Sequence, residues 1–457
     1  MNAKHGAGTT GRAAPARRVA AEVLAAVRDD DAYANLLLPT RIAHAKLSPG
    51  DAALATELTY GTLRMQGRYD RILRLAANRE TDAIDPAVLD VLRLGVHQLL
   101  ATRIPPHAAV GDTVALAPRR ATGFVNGVLR TVARSTPAEW DARVTEGLSG
   151  DAQLAAEYSH PEWVIDALRR ALDADGRTVE LEALLASDNV APAVSLVALP
   201  GLVEVTEVGE PGGIAPTAVQ ALGGDPAAVP AVAEGRARVQ DEGSQLAALI
   251  LSRAREIAPG ERWLDMCAGP GGKAALLAAE ARLGGAELVA NELIPARAGL
   301  VRRALAVFDP APGVVEGDAT RFATTDPGGF DRILLDAPCT GLGALRRRPE
   351  ARWRKQPTDI PGLVALQTRL LDAAVAALAP GGLLAYVTCS PHPDETRAAV
   401  AGVLDRHPGL TALDTRAVAA RIATSDLGAG VGPALQLWPH RHGTDAMFVQ
   451  LLSKVDA

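Results

Sequence analysis

Two cysteines stand directly after two short apolar stretches, each with the pattern of a buried β-strand. Residues 332–336 lead through Ala-Pro to Cys339, and residues 383–388 lead directly into Cys389. Side chains at the carboxyl ends of parallel strands face a common crevice, so we expect both thiols to point into one site. A lone cysteine in an apolar protein is usually a packing residue, but two at neighbouring strand ends indicate a nucleophile with a second thiol beside it. The sequence Pro-Asp-Glu at 393–395 predicts a helix start, whose positive end would favour the thiolate of Cys389.

A glycine-rich turn lies between a predicted strand and a predicted helix at residues 263–273. Glycines allow close backbone approach to a ligand, and a helix N-terminus presents free N–H groups. A Walker phosphate loop would need Gly at 267 and Ser or Thr at 274, where the chain has Cys267 and Ala274. A dinucleotide fingerprint fits the glycine spacing, with Glu292 about 20 residues further on. The adenosyl pocket of a methyltransferase uses the same geometry, so the loop alone leaves both possibilities open.

Paired thiols suit one reaction in particular. Carbon 5 of a cytosine is too weak a nucleophile to take a methyl group from a sulfonium unless a thiolate first adds at carbon 6. After methyl transfer the carbon-5 proton must leave and the enzyme must be expelled, a step that a second thiol can assist. Asp336, at the end of the strand before Cys339, is expected to hydrogen-bond the bound base.

The sequence around these residues predicts a parallel sheet with helices on both faces, which would position them. Short strands alternate with helical segments from residue 262 onward, which predicts an α/β, Rossmann-like domain over 238–457. The predicted strands are Arg262–Met266, Glu287–Asn291, Val314–Glu316, Arg332–Asp336 and Leu383–Thr388.

The remainder of the chain predicts a multidomain protein. Residues 1–15 lack an apolar period and are expected to form a disordered tail. Apolar residues at helical spacing predict an all-α domain over 16–140. Residues 150–237 combine helices near 161–172 and 179–185 with a short strand at 193–199, which predicts a small α+β connector domain.

Composition narrows the function classes. The chain has 457 residues and a net charge of −6, which argues against a protein that coats nucleic acid non-specifically. Its three cysteines are too few for a disulfide framework and lack zinc-ligand spacing, and His440 and His442 lack metal partners. No apolar run approaches the roughly 20 residues of a membrane span, and no secretory signal is recognisable. We therefore expect a cytoplasmic monomer without a metal.

These motifs resemble the RsmB/NOL1/NOP2/Sun family of RNA cytosine-5 methyltransferases, and the resemblance covers nearly the whole chain. It implies that Cys389 in Thr-Cys is the nucleophile and that Cys339 in Asp-Ala-Pro-Cys assists release. It also implies an S-adenosylmethionine cofactor, small-subunit ribosomal RNA as substrate, and a NusB-like RNA-binding helical domain matched at 57–64 and 124–130. The implied cofactor-binding residues are Cys267, Ala268, Gly269, Pro270, Gly271, Gly272, Lys273, Glu292, Asp318 and Asp336.

One motif departs from the family's usual sequence, and one basic run is a candidate RNA contact. Asp-Ala-Met-Phe at 445–448 stands where the family usually has Asp-Gly-Phe-Phe. Arg346, Arg347, Arg348 and Arg352 form a dense basic run after the Cys339 strand, with Trp353, Arg354 and Lys355 following, and we expect it to contact the RNA backbone. Two other functions stay open: a nicotinamide-dependent oxidoreductase, and a NusB-like RNA-binding factor without catalysis.

Overall fold

The computed structural model describes residues 14–221 and 223–455. Contacts divide the chain into two compact units. The first comprises the chain up to Asp166 together with Arg347–Arg354, and the second comprises Ala167–Arg346 and Lys355 onward. The expected disordered tail lies outside the described residues except for Ala14 and Pro15, and Pro15 begins the first helix.

The first unit is built from helices that bury apolar stripes against one another. Many of them begin at a proline, whose fixed φ suits the first helical turn. Trp140 is fully buried in one of the apolar clusters, and its indole N–H donates to the carbonyl of Val132 at 3.0 Å. The helices are α1 Pro15–Asp29, α2 Ala34–His44, α3 Pro49–Arg64, α4 Gln66–Ala77, α5 Pro86–Ala101, α6 Pro106–Val114, α7 Thr122–Val132, α8 Pro137–Thr145 and α9 Gly150–Tyr158.

The second unit begins within α10 Glu162–Ala174 and contains an antiparallel sheet with strand order β2-β3-β1-β4. The segment predicted as a connector, 150–237, is divided between the two units. Its residues up to Asp166 belong to the first unit, and Val197, Leu199 and Ile214 share an apolar core with residues that follow in the chain, from Leu246 to Leu451. The elements here are α11 Leu181–Asp188, β1 Ser195–Ala198, α12 Val205–Val208, β2 Glu210–Pro211, β3 Ala218–Gln220, α13 Pro230–Ala233 and β4 Ala237–Val239.

The larger sheet of this unit has strand order β10-β12-β9-β8-β5-β6-β7, with β11 paired to β12. Strands β5 to β9 are parallel, whereas β10, β11 and β12 add antiparallel pairs that the sequence did not predict. The elements are α14 Glu242–Ser252, β5 Arg262–Asp265, α15 Gly272–Gly284, β6 Glu287–Glu292, α16 Pro295–Leu305, β7 Gly313–Glu316, α17 Phe322–Thr325, β8 Phe330–Asp336, α19 Ile360–Ala377, β9 Leu378–Thr388, α20 Arg397–Arg406, β10 Leu410–Ala412, α21 Thr415–Ile422, β11 Leu435–Gln436, α22 Pro439–His442 and β12 Phe448–Lys454. Between β8 and α19 along the chain, the short helix α18 Ala351–Arg354 belongs to the first unit.

The five predicted strands are confirmed as β5 to β9, within a few residues at their ends. Strand order reverses at β5, which has β6 on one side and β8 on the other. Ligands of open α/β sheets bind at such a switch point, outside the carboxyl ends of the strands. The Rossmann-like architecture therefore directs attention to the loops after β5, β6, β8 and β9.

One helix is long and apolar enough to be considered as a membrane span, although the sequence predicted none. Among the described residues, Pro357–Ala377 has the length and the mean hydropathy, 1.3, of a possible span, and 39% of its apolar window is buried. Its buried side, which includes Leu370, Leu371 and Ala374, packs in a core cluster of the large sheet. A core helix covering one face of a sheet has the same composition.

Candidate active site

The glycine-rich loop joins β5 to the N-terminus of α15 and is held by Glu292 at the end of β6. The backbone N–H of Gly269 donates to Glu292 Oε2 at 3.0 Å. A Cβ at residue 269 would lie 2.1 Å from that same oxygen, so only glycine permits this close approach. The loop is thereby fixed with the first turn of α15 at the switch point of the sheet.

Two acidic residues lie at the ends of the neighbouring strands β6 and β7. Glu292 is 4% exposed and also accepts from the Ile294 N–H at 3.0 Å. Asp318 follows β7 and is exposed, and hydrogen bonds from the backbone and hydroxyl of Thr320 lower its pKa. Leu293 lies between the two acids along the chain and is 64% exposed. Acceptors for ribose and base together with an uncovered apolar surface fit an adenosyl group.

The two cysteines meet at the ends of β8 and β9, as the sequence predicted. These strands pair in parallel with Asp336 opposite Val387, and the sulfur atoms of Cys339 and Cys389 lie 3.5 Å apart. The hydrogen bond to Cys389 and burial raise the pKa of Cys339 well above its usual range, and nearby negative charges act in the same direction. Cys339 is therefore a protonated thiol at neutral pH.

Lys273 joins the cofactor loop to the thiol site. Its ammonium group donates to Asp336 Oδ2 at 2.8 Å. Burial alone would lower the pKa of Lys273, but attraction from Asp336, Cys389 and Asp265 raises it, so the side chain stays charged. Burial and repulsion from Asp336 raise the pKa of Asp265 to about 8. The resemblance assigned Lys273 to the cofactor, whereas in the structure its ammonium group pairs with Asp336 and interacts with Cys389.

The third cysteine, Cys267, belongs to the loop and not to the thiol pair. Burial and the neighbouring carboxylates raise the pKa of its thiol far above the usual range. Its side chain packs against the apolar cluster that covers one face of the large sheet. Cys267 is thus an inert thiol at neutral pH.

The basic run after Cys339 requires a correction. Arg346 is 5% exposed and donates to the carbonyl of Gly443 at 2.8 Å. Arg352 is fully buried, and its guanidinium donates to the backbone carbonyls of Arg64 and Ser159 at 3.0 and 3.1 Å. These two side chains are therefore not placed to contact a phosphate, because their donors are directed at the protein interior. Arg348 is exposed and lies over the ring of Tyr33.

The histidines that received no role have structural partners. His440 Nε2 lies 2.8 Å from a carboxylate oxygen of Glu180, and His442 contacts backbone groups of Trp438 and Leu427. Among the described residues, His, Cys, Asp and Glu side chains form no group that could hold a metal ion.

A carboxylate that sequence reasoning missed lies behind the thiols. The sequence indicates Glu395 only as part of a helix start, yet it is fully buried and accepts from the backbone N–H of Thr340 at 2.8 Å. The predicted helix start is a short 3₁₀ turn, Pro393–Glu395, and α20 begins at Arg397. The sequence signal available was a Glu a few residues after a strand-end cysteine, which is too common to be diagnostic.

Comparison with known proteins agrees with this geometry. Residues 253–453 match the family described as 16S rRNA methyltransferase RsmB/F, and residues 14–134 match the NusB family. A protein of Mycobacterium tuberculosis (strain ATCC 25618 / H37Rv) is 48% identical, over 96% of this chain and 97% of its own length. Ribosomal RNA small subunit methyltransferase B of Pseudomonas putida is 34% identical, over 96% of this chain and 99% of its own.

The fold also matches a solved structure over its full length. The crystal structure of PH0851 superposes with a TM-score of 0.78 at 22% identity, covering 97% of this chain and all of that chain. The family match leaves the oxidoreductase and non-catalytic alternatives without support, and the loop with Glu292 and Asp318 fits the family's cofactor, S-adenosylmethionine. The chain belongs to the RsmB/F family of S-adenosylmethionine-dependent 16S rRNA methyltransferases and carries a NusB-type helical domain at its N-terminal end.

Proposed function

We propose that this chain methylates carbon 5 of a cytosine in small-subunit ribosomal RNA through a covalent adduct between Cys389 and carbon 6. The observation that carries the proposal is the 3.5 Å separation of two thiols at the ends of adjacent parallel strands. A reaction that forms and then breaks an enzyme–base bond uses both sulfur atoms, one to attack the base and one to assist its release.

The charges around the thiols favour the first step. The ammonium group of Lys273 interacts with Cys389 and so stabilises the thiolate relative to the thiol. Addition of this thiolate at carbon 6 moves an electron pair toward carbon 5. Asp336, held at 2.8 Å by Lys273 and 27% exposed, is placed to accept a hydrogen bond from the base. The cytosine reaches this crevice from a single strand or after leaving its stack.

The cofactor supplies a methyl group on a positively charged sulfur. The loop residues 267–273, Glu292 and Asp318 would hold its adenosyl part beside the crevice that contains Cys389. In the last step a proton leaves carbon 5, the carbon–sulfur bond breaks, and its electron pair returns to Cys389. The protonated Cys339, at 3.5 Å, stabilises the departing thiolate by a hydrogen bond.

The RNA is the partner that this chemistry needs. We assign backbone contacts to Arg347 and Arg348, the members of the basic run that the structure leaves partly or fully exposed. The NusB-type domain contributes to RNA binding in this proposal, and the protein acts as a monomer in the cytoplasm, where its substrate is made.

The test is transfer of labelled methyl groups to protein-free small-subunit ribosomal RNA, resolved on a denaturing gel. Wild type should release methylated RNA, Cys339→Ala should accumulate a gel-shifted protein–RNA adduct, and Cys389→Ala should do neither. Thermal unfolding of each variant controls for folding. Methylation by Cys389→Ala at the wild-type rate would refute the covalent mechanism.

A further inference from the structure

Cys339 is held on both sides by buried polar side chains outside the reacting set. On the carboxyl side, Glu395 Oε1 accepts the backbone N–H of Thr340 at 2.8 Å, and Oε2 accepts the Thr340 hydroxyl at 2.5 Å. On the amino side, Gln367 of α19 donates through Nε2 to the carbonyl of Pro338 at 2.9 Å. Gln367 and Glu395 are both fully buried and hydrogen-bond each other at 3.3 Å. Together they clamp the residues that flank the thiol.

The same clamp extends to the segment after Cys389. The hydroxyls of Thr340 and Ser390 lie 2.9 Å apart, and the backbone N–H of His392 donates to Ser390 Oγ at 3.2 Å. Since the single hydroxyl proton of Thr340 is given to Glu395, Ser390 must be the donor to Thr340. The chain of donors therefore runs in one direction, from the His392 amide through Ser390 and Thr340, and ends on the Glu395 carboxylate.

We propose that Glu395 is a positioning residue that holds the Cys339 thiol beside Cys389 for release of the methylated base, an inference that rests on the proposed function. Both of its oxygens are directed at Thr340, the residue next to Cys339, and its backbone carbonyl accepts the hydroxyl of Tyr386, on the strand that leads to Cys389, at 2.7 Å. Loss of this clamp loosens the Cys339 loop, whereas the strand that leads to Cys389 keeps its backbone pairing with β8 and β12.

The step it serves is the elimination. Water takes the carbon-5 proton, the carbon 5–carbon 6 double bond forms, and the carbon 6–sulfur bond breaks with its electron pair remaining on Cys389. The Cys339 S–H must point at that sulfur to stabilise the developing thiolate. The negative charge of Glu395 also contributes to the raised pKa of Cys339, so the carboxylate keeps this thiol protonated as well as placed.

If Glu395 only stabilised the fold, its replacement would affect adduct formation and release equally. A positioning role predicts that release alone is slowed. A buried ionisable group is expensive to desolvate, and an apolar side chain of similar size often stabilises a core as well or better. Glu280 is a matched control because it is 5% exposed and also accepts hydrogen bonds in this unit, from Ser252 and Arg253, but in the C-terminal half of α15, beyond the cofactor loop.

The experiment measures two rates with labelled cofactor and small-subunit ribosomal RNA: formation of the covalent adduct and appearance of free methylated RNA. Glu395→Gln replaces one acceptor by a donor that faces Thr340, so it should form adduct at the wild-type rate and slow release roughly 10- to 100-fold. Adduct then accumulates as in Cys339→Ala, and adding Glu395→Gln to Cys339→Ala should slow release no further. Glu280→Gln should leave both rates unchanged.

A second variant guards against misfolding of the first. Thr340→Val keeps the backbone N–H and the shape but removes the hydroxyl that joins Glu395 to Ser390, and it should slow release in the same direction by a smaller factor. Release at the wild-type rate in both variants, or equal loss of adduct formation and release, overturns the positioning role. If wild type makes no 5-methylcytosine and Cys339→Ala forms no adduct, the proposed function itself fails, and this inference fails with it.

Discussion

Gly343 lies where three parts of the thiol site meet, and replacing it by alanine tests the geometry directly. Its N–H donates to the carbonyl of Cys389 at 2.9 Å, and its own carbonyl accepts the N–H of Ala446 at 2.8 Å. A Cβ at this position would lie 2.2 Å from the Ala446 oxygen and 2.8 Å from the Cys389 oxygen. The backbone φ of Gly343 lies outside the left-handed region, so the effect of Gly343→Ala is steric.

The size of the effect follows from these distances. Both neighbours are backbone atoms that cannot swing aside, so the chain must shift by about 0.8 Å to restore the 3.0 Å that real Cβ atoms require. Overpacking of this kind costs about 1–3 kcal/mol of stability. A misplacement near 1 Å at reacting groups can reduce the rate about 100-fold, so we expect a fall of that order in methyl transfer.

The assay is single-turnover methyl transfer at saturating cofactor, measured well below the unfolding temperature of each variant. Gly362→Ala is the matched control, since this exposed glycine in α19 has no atom within 4 Å of an added Cβ. Alanine there should leave the rate unchanged and add about 0.4–1 kcal/mol of stability. Gly343→Ala with a rate within twofold of Gly362→Ala would refute the close-contact argument.

Three further predictions concern charge. Lys273→Met should slow methyl transfer and move the pH–rate profile to higher pH, because the Cys389 thiolate loses its nearby cation; an unshifted profile would remove Lys273 from this role. The pKa of Asp265 is raised to about 8, so its contribution to folding is complete below about pH 4 and is lost as the pH rises toward 8. Asp265→Asn, which mimics the protonated form, should therefore flatten the dependence of the unfolding temperature on pH over that range, and an unchanged slope would contradict the raised pKa. Arg332→Met should cost about 3–5 kcal/mol, because removal of this fully buried guanidinium takes hydrogen bonds from Glu261 and from several backbone carbonyls. Arg262→Met, whose side chain is 47% exposed, should cost less than about 1 kcal/mol, and equal losses in urea unfolding would count against the buried network.

The parallel strands were predictable because their signal is local. Each consists of a few β-branched or leucine residues followed by a turn, and each predicted strand overlaps an observed one from β5 to β9. Strands β10, β11 and β12 escaped prediction because their pairing is antiparallel and distant, as in Phe448 opposite Thr388, so nothing nearby in the chain announces it.

For the basic run at 346–352, the local sequence did not indicate which side chains are buried. Charge density alone predicted that Arg346 and Arg352 contact RNA, yet both side chains are buried against carbonyls. Two identical guanidinium groups, one buried and one exposed, look the same in sequence, since the difference depends on which acceptors the fold brings within about 3 Å.

By itself the sequence determined which residues could do chemistry: two thiols after two strands, a glycine-rich loop, and the acids Glu292 and Asp318. These signals can be recognised in the sequence because strand ends and glycine turns are defined by neighbouring residues. Only the tertiary structure decided that the thiols lie 3.5 Å apart, that Lys273 pairs with Asp336, and that Glu395 holds the loop after Cys339. Those contacts join residues 50 to 63 positions apart, and their energies depend on burial and direction, which spacing along the chain does not encode.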